Sequence, residues 1–125
     1  MKSEEINKLS NRIIGCAIKV HRSLGSGFRE GIYSRALAYE LEKNTISFAR
    51  ERSVKISYEG LPLGEHRLDF LIENELILEI KAAPEINSFH IAQILSYLKV
   101  SDKRLGLLLN FSGPTLQIKR IANRL

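Results

Sequence analysis

The chain has 125 residues, 44% of them apolar and 26% charged, with a formal net charge of +5. That length predicts one domain spanning 1–125 with a core of its own, and that composition excludes a disordered or fibrous chain. No apolar run reaches 18 residues and the charged start Met1-Lys2-Ser3-Glu4-Glu5 has no apolar signal core, so no spanning helix and a cytoplasmic location are expected, while the basic balance suits a polyanionic partner.

Ser3, with Glu4 and Glu5 behind it, reads as a capped helix start. Ile6, Leu9, Ile13, Ala17, Val20 and Leu24 continue at helical spacing, and Gly25-Ser26-Gly27 ends the helix. Cys16, the single cysteine, cannot form an internal disulfide, and among Ile13, Ile14 and Ala17 it reads as a small core residue. His21 reads as a packed or capping histidine at the edge of the apolar stripe. Gly25-Ser26-Gly27 follows a helix and not a strand, so it is no phosphate loop.

A second helix is predicted from about Arg29 to Lys43, ending at Asn44. Glu30, Tyr33, Leu37 and Leu41 form one stripe at 100° per residue, which puts a carboxylate at the head of an apolar face. Glu30 there either serves a site or merely complements the helix dipole, worth about 0.3–1 kcal/mol. Phe48 to Tyr58 reads as a strand, and Glu59 to Gly64 as a turn region.

The next segment is a hairpin. Leu68, Phe70 and Ile72 alternate on one strand, and Leu76, Leu78, Ile80 and Ala82 on the other. Stacking apolar on apolar pairs Leu68 with Ile80, Phe70 with Leu78 and Ile72 with Leu76, with Glu73-Asn74-Glu75 as the loop. Asp69 then faces Glu79, and Arg67 faces Lys81, beside apolar Leu71 and Ile77. Facing like charges destabilise a sheet by roughly 0.2–1 kcal/mol. A covered carboxylate pair calls for a cation, a shared proton or a basic neighbour, and a hard ion such as Mg²⁺ is one answer. The alternative is a solvated pair screened by Arg67 and Lys81.

A third helix is predicted over roughly Ile86 to Val100, with Ile91, Ile94, Leu95 and Leu98 as its core stripe. Phe89, His90, Gln93, Tyr97 and Val100 would form an opposite face needing its own neighbour, or else an amphipathic rim. His66 and His90 have no metal-ligand spacing. Leu105 to Phe111 reads as a strand covered on both faces, and Leu116 to Leu125 as a strand or a short basic helix. The order predicts an α/β fold with a mixed sheet and flanking helices, α-α-β-β-β-α-β.

These motifs together carry a resemblance. Asp69 followed by Glu79-Ile80-Lys81 resembles the D…ExK core of the PD-(D/E)XK nuclease superfamily, whose common core is restriction-endonuclease-like. Gln93-Ile94-Leu95-Ser96-Tyr97 resembles the QxxxY motif of its RecB-like branch, and Gly27 to Tyr33 resembles the signature of the GxxExxY family. The resemblance implies a nuclease that uses Mg²⁺ or Mn²⁺ on nucleic acid, first of all DNA. Asp69, Glu79, the Ile80 carbonyl and Glu30 would hold the metal, Lys81 would sit beside the attacking water, and Gln93 and Tyr97 would position substrate. Leu68 stands where the superfamily's proline precedes the aspartate. A binding or protein-interaction module on the same fold is the competing reading, and a homodimer is a further expectation.

Overall fold

The structure, a computed structural model, describes residues 1–125. Its elements are α1 (Ser3–Leu24), α2 (Glu30–Lys43), β1 (Phe48–Tyr58), β2 (Leu61–Ile72), β3 (Leu76–Lys81), α3 (Ser88–Ser101), β4 (Leu105–Asn110) and β5 (Gln117–Ala122). The five strands form one sheet in the order β1-β2-β3-β4-β5. β3 and β4 run parallel, joined by the α3 crossover, and every other neighbouring pair is antiparallel. This is the mixed α/β, restriction-endonuclease-like architecture that the element order predicts. No helix is long and apolar enough to cross a membrane.

Apolar periodicity decides which helix covers which face. Ile6, Ile13, Ala17 and Val20 of α1, with Tyr33, Leu37 and Leu41 of α2, are buried against Phe70, Ile72, Leu78, Ile80, Leu107 and Leu109. Cys16 belongs to that cluster. Ile94, Tyr97 and Leu98 of α3 pack against Leu71, Ile77 and Leu108 on the other face. β3 and β4 lie between the two layers, which is why β4 is buried at every position. Gly106 on β4 lets α3 approach closely, since a Cβ there would lie 2.7 Å from Ile94 Cγ2.

Several expectations need correction. Lys2, not Ser3, precedes α1, and Glu5 accepts from the Lys2 N–H at 3.1 Å. The turn after β1 is only Glu59-Gly60, because Leu61 to Gly64 already belong to β2. Pro62 is tolerated there because that part of β2 pairs only with β1, past a register shift at Ile56/Ser57. Of the two forms open to the tail, the structure takes the strand, over Gln117–Ala122. On α3, Tyr97 is buried with the core stripe and not on the opposite face, while Phe89 and Val100 are 66% and 49% exposed.

The hairpin register holds at Phe70–Leu78, Leu71–Ile77 and Ile72–Leu76 around the loop of Glu73-Asn74-Glu75, where Glu73 and Asn74 take positive φ. It then stops. Leu68–Ile80 and Arg67–Lys81 do not pair, and from Leu68 backwards the backbone ladder of β2 runs only to β1. Glu51, opposite Asp69 on β1, lies at φ 54 and its rung is also absent. The alternation of faces therefore breaks at Asp69: Leu68 and Leu71 both pack on the α3 side.

Candidate active site

The broken rung is where the acids gather. With the ladder open, side chains take over the backbone's hydrogen bonds. Asp69 Oδ2 accepts from the Ile80 N–H at 2.7 Å, and Glu79 Oε2 accepts from the Asp69 N–H at 3.1 Å. Each carboxylate thus ties down the strand that carries the other. The two strands splay around an acid pair facing α3.

A cavity of about 70 Å³ opens at this point, lined by Glu30, His66, Asp69, Glu79, Lys81, His90, Gln93, Ile94 and Leu108. Glu30 reaches it from the first turn of α2. Gln93 and His90 reach it from α3, whose start is fixed by the Asn87 side chain accepting from the His90 N–H at 3.1 Å. Five of the residues singled out in the sequence, Glu30, Asp69, Glu79, Lys81 and Gln93, therefore share one cavity. Ile80 contributes its N–H to Asp69, and its side chain is buried in the core. Tyr97 is not in the cavity wall. It lies beneath it, stacked on His66 with ring centroids 4.1 Å apart.

The loop that delivers Glu30 is held by Tyr33. Its hydroxyl donates to the Gly25 carbonyl at 2.6 Å and accepts from the Phe28 N–H at 3.2 Å. Its ring stacks on Phe111 at 4.5 Å. Gly25 and Gly27 take positive φ in this loop, as glycine allows. The glycine, glutamate and tyrosine of the motif thus form one device: the tyrosine pins the turn and the turn presents the acid. His21 is buried, with Nε2 3.0 Å from the Gly113 carbonyl, away from the cavity.

His66 and His90 are the residues that the spacing argument missed. His66 Nε2 lies 3.0 Å from Glu79 Oε1. In a regular strand His66 and Asp69 would point to opposite faces. Only the break in alternation brings them together, and nothing in the sequence announces that break. His90 has no such obstacle: helical spacing already groups it with Gln93, three residues on, and only its lack of metal-ligand spacing set it aside.

Electrostatics follow from burial. Glu79 is 7% exposed, and burial, with the neighbouring Asp69 charge next, pushes its carboxyl up to about 9. Burial lowers the His66 imidazole below its usual value, with Asp69 opposing and Lys81 assisting. Both shifts favour the uncharged forms of Glu79 and His66, whose Oε1 and Nε2 lie 3.0 Å apart. Burial, then Glu79, raises the Tyr97 phenol.

A carboxylate that holds a proton where solution would remove it is a place where a cation can take the proton's part. The donors are hard oxygens on two adjacent acids, with Glu30 across the cavity. No three acidic, imidazole or thiol side chains stand together as a ready-made cage. Mg²⁺ asks for no cage: it is held by one or two carboxylates and keeps several waters, for which the cavity has room. The residues fit such an ion.

The sheet order, the splayed strands and the acid pair beside a lysine define the class. The chain belongs to the PD-(D/E)XK nuclease superfamily, whose family model matches residues 7–121. Among solved structures it is similar to the one titled "Crystal structure of SSO0001", with a TM-score of 0.59 and 20% sequence identity, over 76% of this chain and 50% of that one. The chain thus spans half the length of that protein, and the likeness bears on the fold alone. No curated protein matches it in sequence.

Proposed function

We propose that the chain is a divalent-metal-dependent nuclease that hydrolyses nucleic-acid phosphodiester bonds, DNA foremost, as a single domain of the GxxExxY family in the RecB-like branch. The observation that supports this is the meeting of Glu30, Asp69, Glu79, Lys81 and Gln93 around one cavity, drawn from four separate elements. Asp69 and Glu79 would hold Mg²⁺ or Mn²⁺, with Glu30 and the Ile80 carbonyl as further donors. The ion, when bound, lowers the pKa of water and offsets phosphate charge.

The chain's own residues have definite tasks in this reading. Lys81, on the strand end beside Glu79, places a positive charge where charge builds on the phosphate and orients the attacking water. Gln93, with one amide in the cavity, donates to a phosphate or sugar oxygen. Burial of Glu79 keeps bulk water from competing. A cytoplasmic homodimer completes the proposal.

The test is cleavage of single- and double-stranded oligonucleotides in Mg²⁺ or Mn²⁺. Lys81→Ala is expected to lower the rate by roughly 10²–10³ while the fold is kept, as loss of one charge-stabilising group does. A folded chain that cleaves no DNA or RNA in either ion overturns the reading. One observation favours a second reading, a nucleic-acid-binding or protein-interaction module without catalysis: both Glu79 oxygens already have partners within the protein, His66 and the Asp69 N–H. Salt-sensitive binding of nucleic acid that is indifferent to divalent ions would select it.

A further inference from the structure

Glu79 has two partners of different kinds. Its Oε2 accepts from the backbone N–H of Asp69, which no side-chain substitution removes. Its Oε1 meets the imidazole of His66 at 3.0 Å. The imidazole is itself held: it lies flat on Tyr97, 14° from parallel, and Tyr97 is 7% exposed in the core between α3 and the sheet. The ring of His66 therefore has little freedom to turn. A terminal carboxylate torsion is broad and soft, so a buried glutamate takes its direction from whatever bonds its oxygens. Without His66, Oε1 would be a buried acceptor with no partner, free to swing away.

We propose that His66, clamped by Tyr97, is a positioning residue that aims the Glu79 carboxylate into the cavity shared with Asp69, Lys81 and Glu30. Tyr97 then acts through His66 and does not touch substrate. The chain of support runs from the α3 core through two stacked rings to one oxygen. It spans α3 and the two strands, β2 and β3, that the broken rung separates. A partner behind a metal-binding carboxylate fixes where its remaining lone pairs point, and removing such a partner costs about 10–100-fold in ion affinity. This inference rests on the reading of Asp69 and Glu79 as ion ligands.

The experiment measures Mn²⁺ binding to the full chain by calorimetry, with thermal melting as the fold control. His66→Phe keeps a ring against Tyr97 and removes the nitrogen. Its dissociation constant for Mn²⁺ is expected to rise about 10–100-fold with little change in melting. His66→Gln returns a polar group and recovers part of the affinity. Tyr97→Phe keeps the stack and is silent, whereas Tyr97→Leu weakens binding as His66→Phe does. The double variant H66F/Y97L binds no more weakly than either single one, because both remove the same orientation. Unchanged Mn²⁺ affinity in H66F, or losses that add in the double variant, overturn the proposal. A wild-type chain that binds no Mn²⁺ overturns the ion reading instead. The clamp is then decided by NMR: the His66 Nε2 resonance must move in both Glu79→Gln and Tyr97→Leu, and a resonance that stays in place in either one refutes it.

Discussion

At Glu79 a single proton links the site to the stability of the fold. The folded chain holds this carboxyl up to about 9, against 4.5 for the free group. A raised folded value means stability that is complete below the free value and is lost as pH climbs through the folded one. His66 works in the opposite sense, since its lowered value costs stability only as pH falls below its free value of 6.5. Between about pH 6.5 and 9 Glu79 acts alone, with a slope approaching about 1.4 kcal/mol per pH unit for one proton. Urea midpoints of the metal-free chain are expected to fall across that window, and Glu79→Gln is expected to flatten the fall. A flat wild-type profile would show that Glu79 is charged. That Asp69, Glu79, Lys81, Glu30 and Gln93 meet at one cavity was legible from the hairpin pattern together with the resemblance of their motifs. Tyr97 was legible as a site-associated residue but not in its place, because helical spacing groups it with Gln93 while packing draws it under His66.

Among the elements, the crossover α3 sets the depth of the site, and β4 sets the depth of α3. Gly106 is paired with Ile77 and lies under Ile94, one residue from Gln93. A methyl group there meets a β-branched side chain with no long arm to swing aside. Gly106→Ala is therefore expected to cost about 1–3 kcal/mol by overpacking, read as a lower denaturation midpoint. The same displacement carries Gln93 outward, so cleavage should fall further than the loss of folded protein explains. Ile94→Val beside it should restore part of both. The helices and β4 were readable because their periodicity is strong, and the ends of the first two helices are marked by Gly25 and Asn44. The start of β2 was not, because Pro62 and Gly64 signal turns in a central strand and are harmless on a two-stranded ribbon. The broken rung at Asp69 was also hidden. Its marks are a left-handed Glu51 and a missing pair, and neither residue type advertises them.

Taken as a whole, the molecule is a five-stranded sheet from which one pair of strands departs. Beyond Val54 and Leu68 the β1–β2 ribbon has no third strand, and residues 57–65 are all exposed, with Tyr58, Leu61 and Leu63 at 60% or more. Its tip, Glu59-Gly60, closes on positive φ at both residues. The cavity residues and the core thus owe nothing to the ribbon's outer length. This end of the chain is free to be lengthened, shortened or exchanged between relatives without a new hydrophobic centre having to be invented. A short glycine-serine insert between Glu59 and Gly60 should leave the melting temperature within a few degrees of the parent, as surface-loop insertions generally do. A large drop would show that the tip props up the rest. Such a spare limb beside a buried acid pair is a place where a chain can acquire a new contact while its core stays as it was.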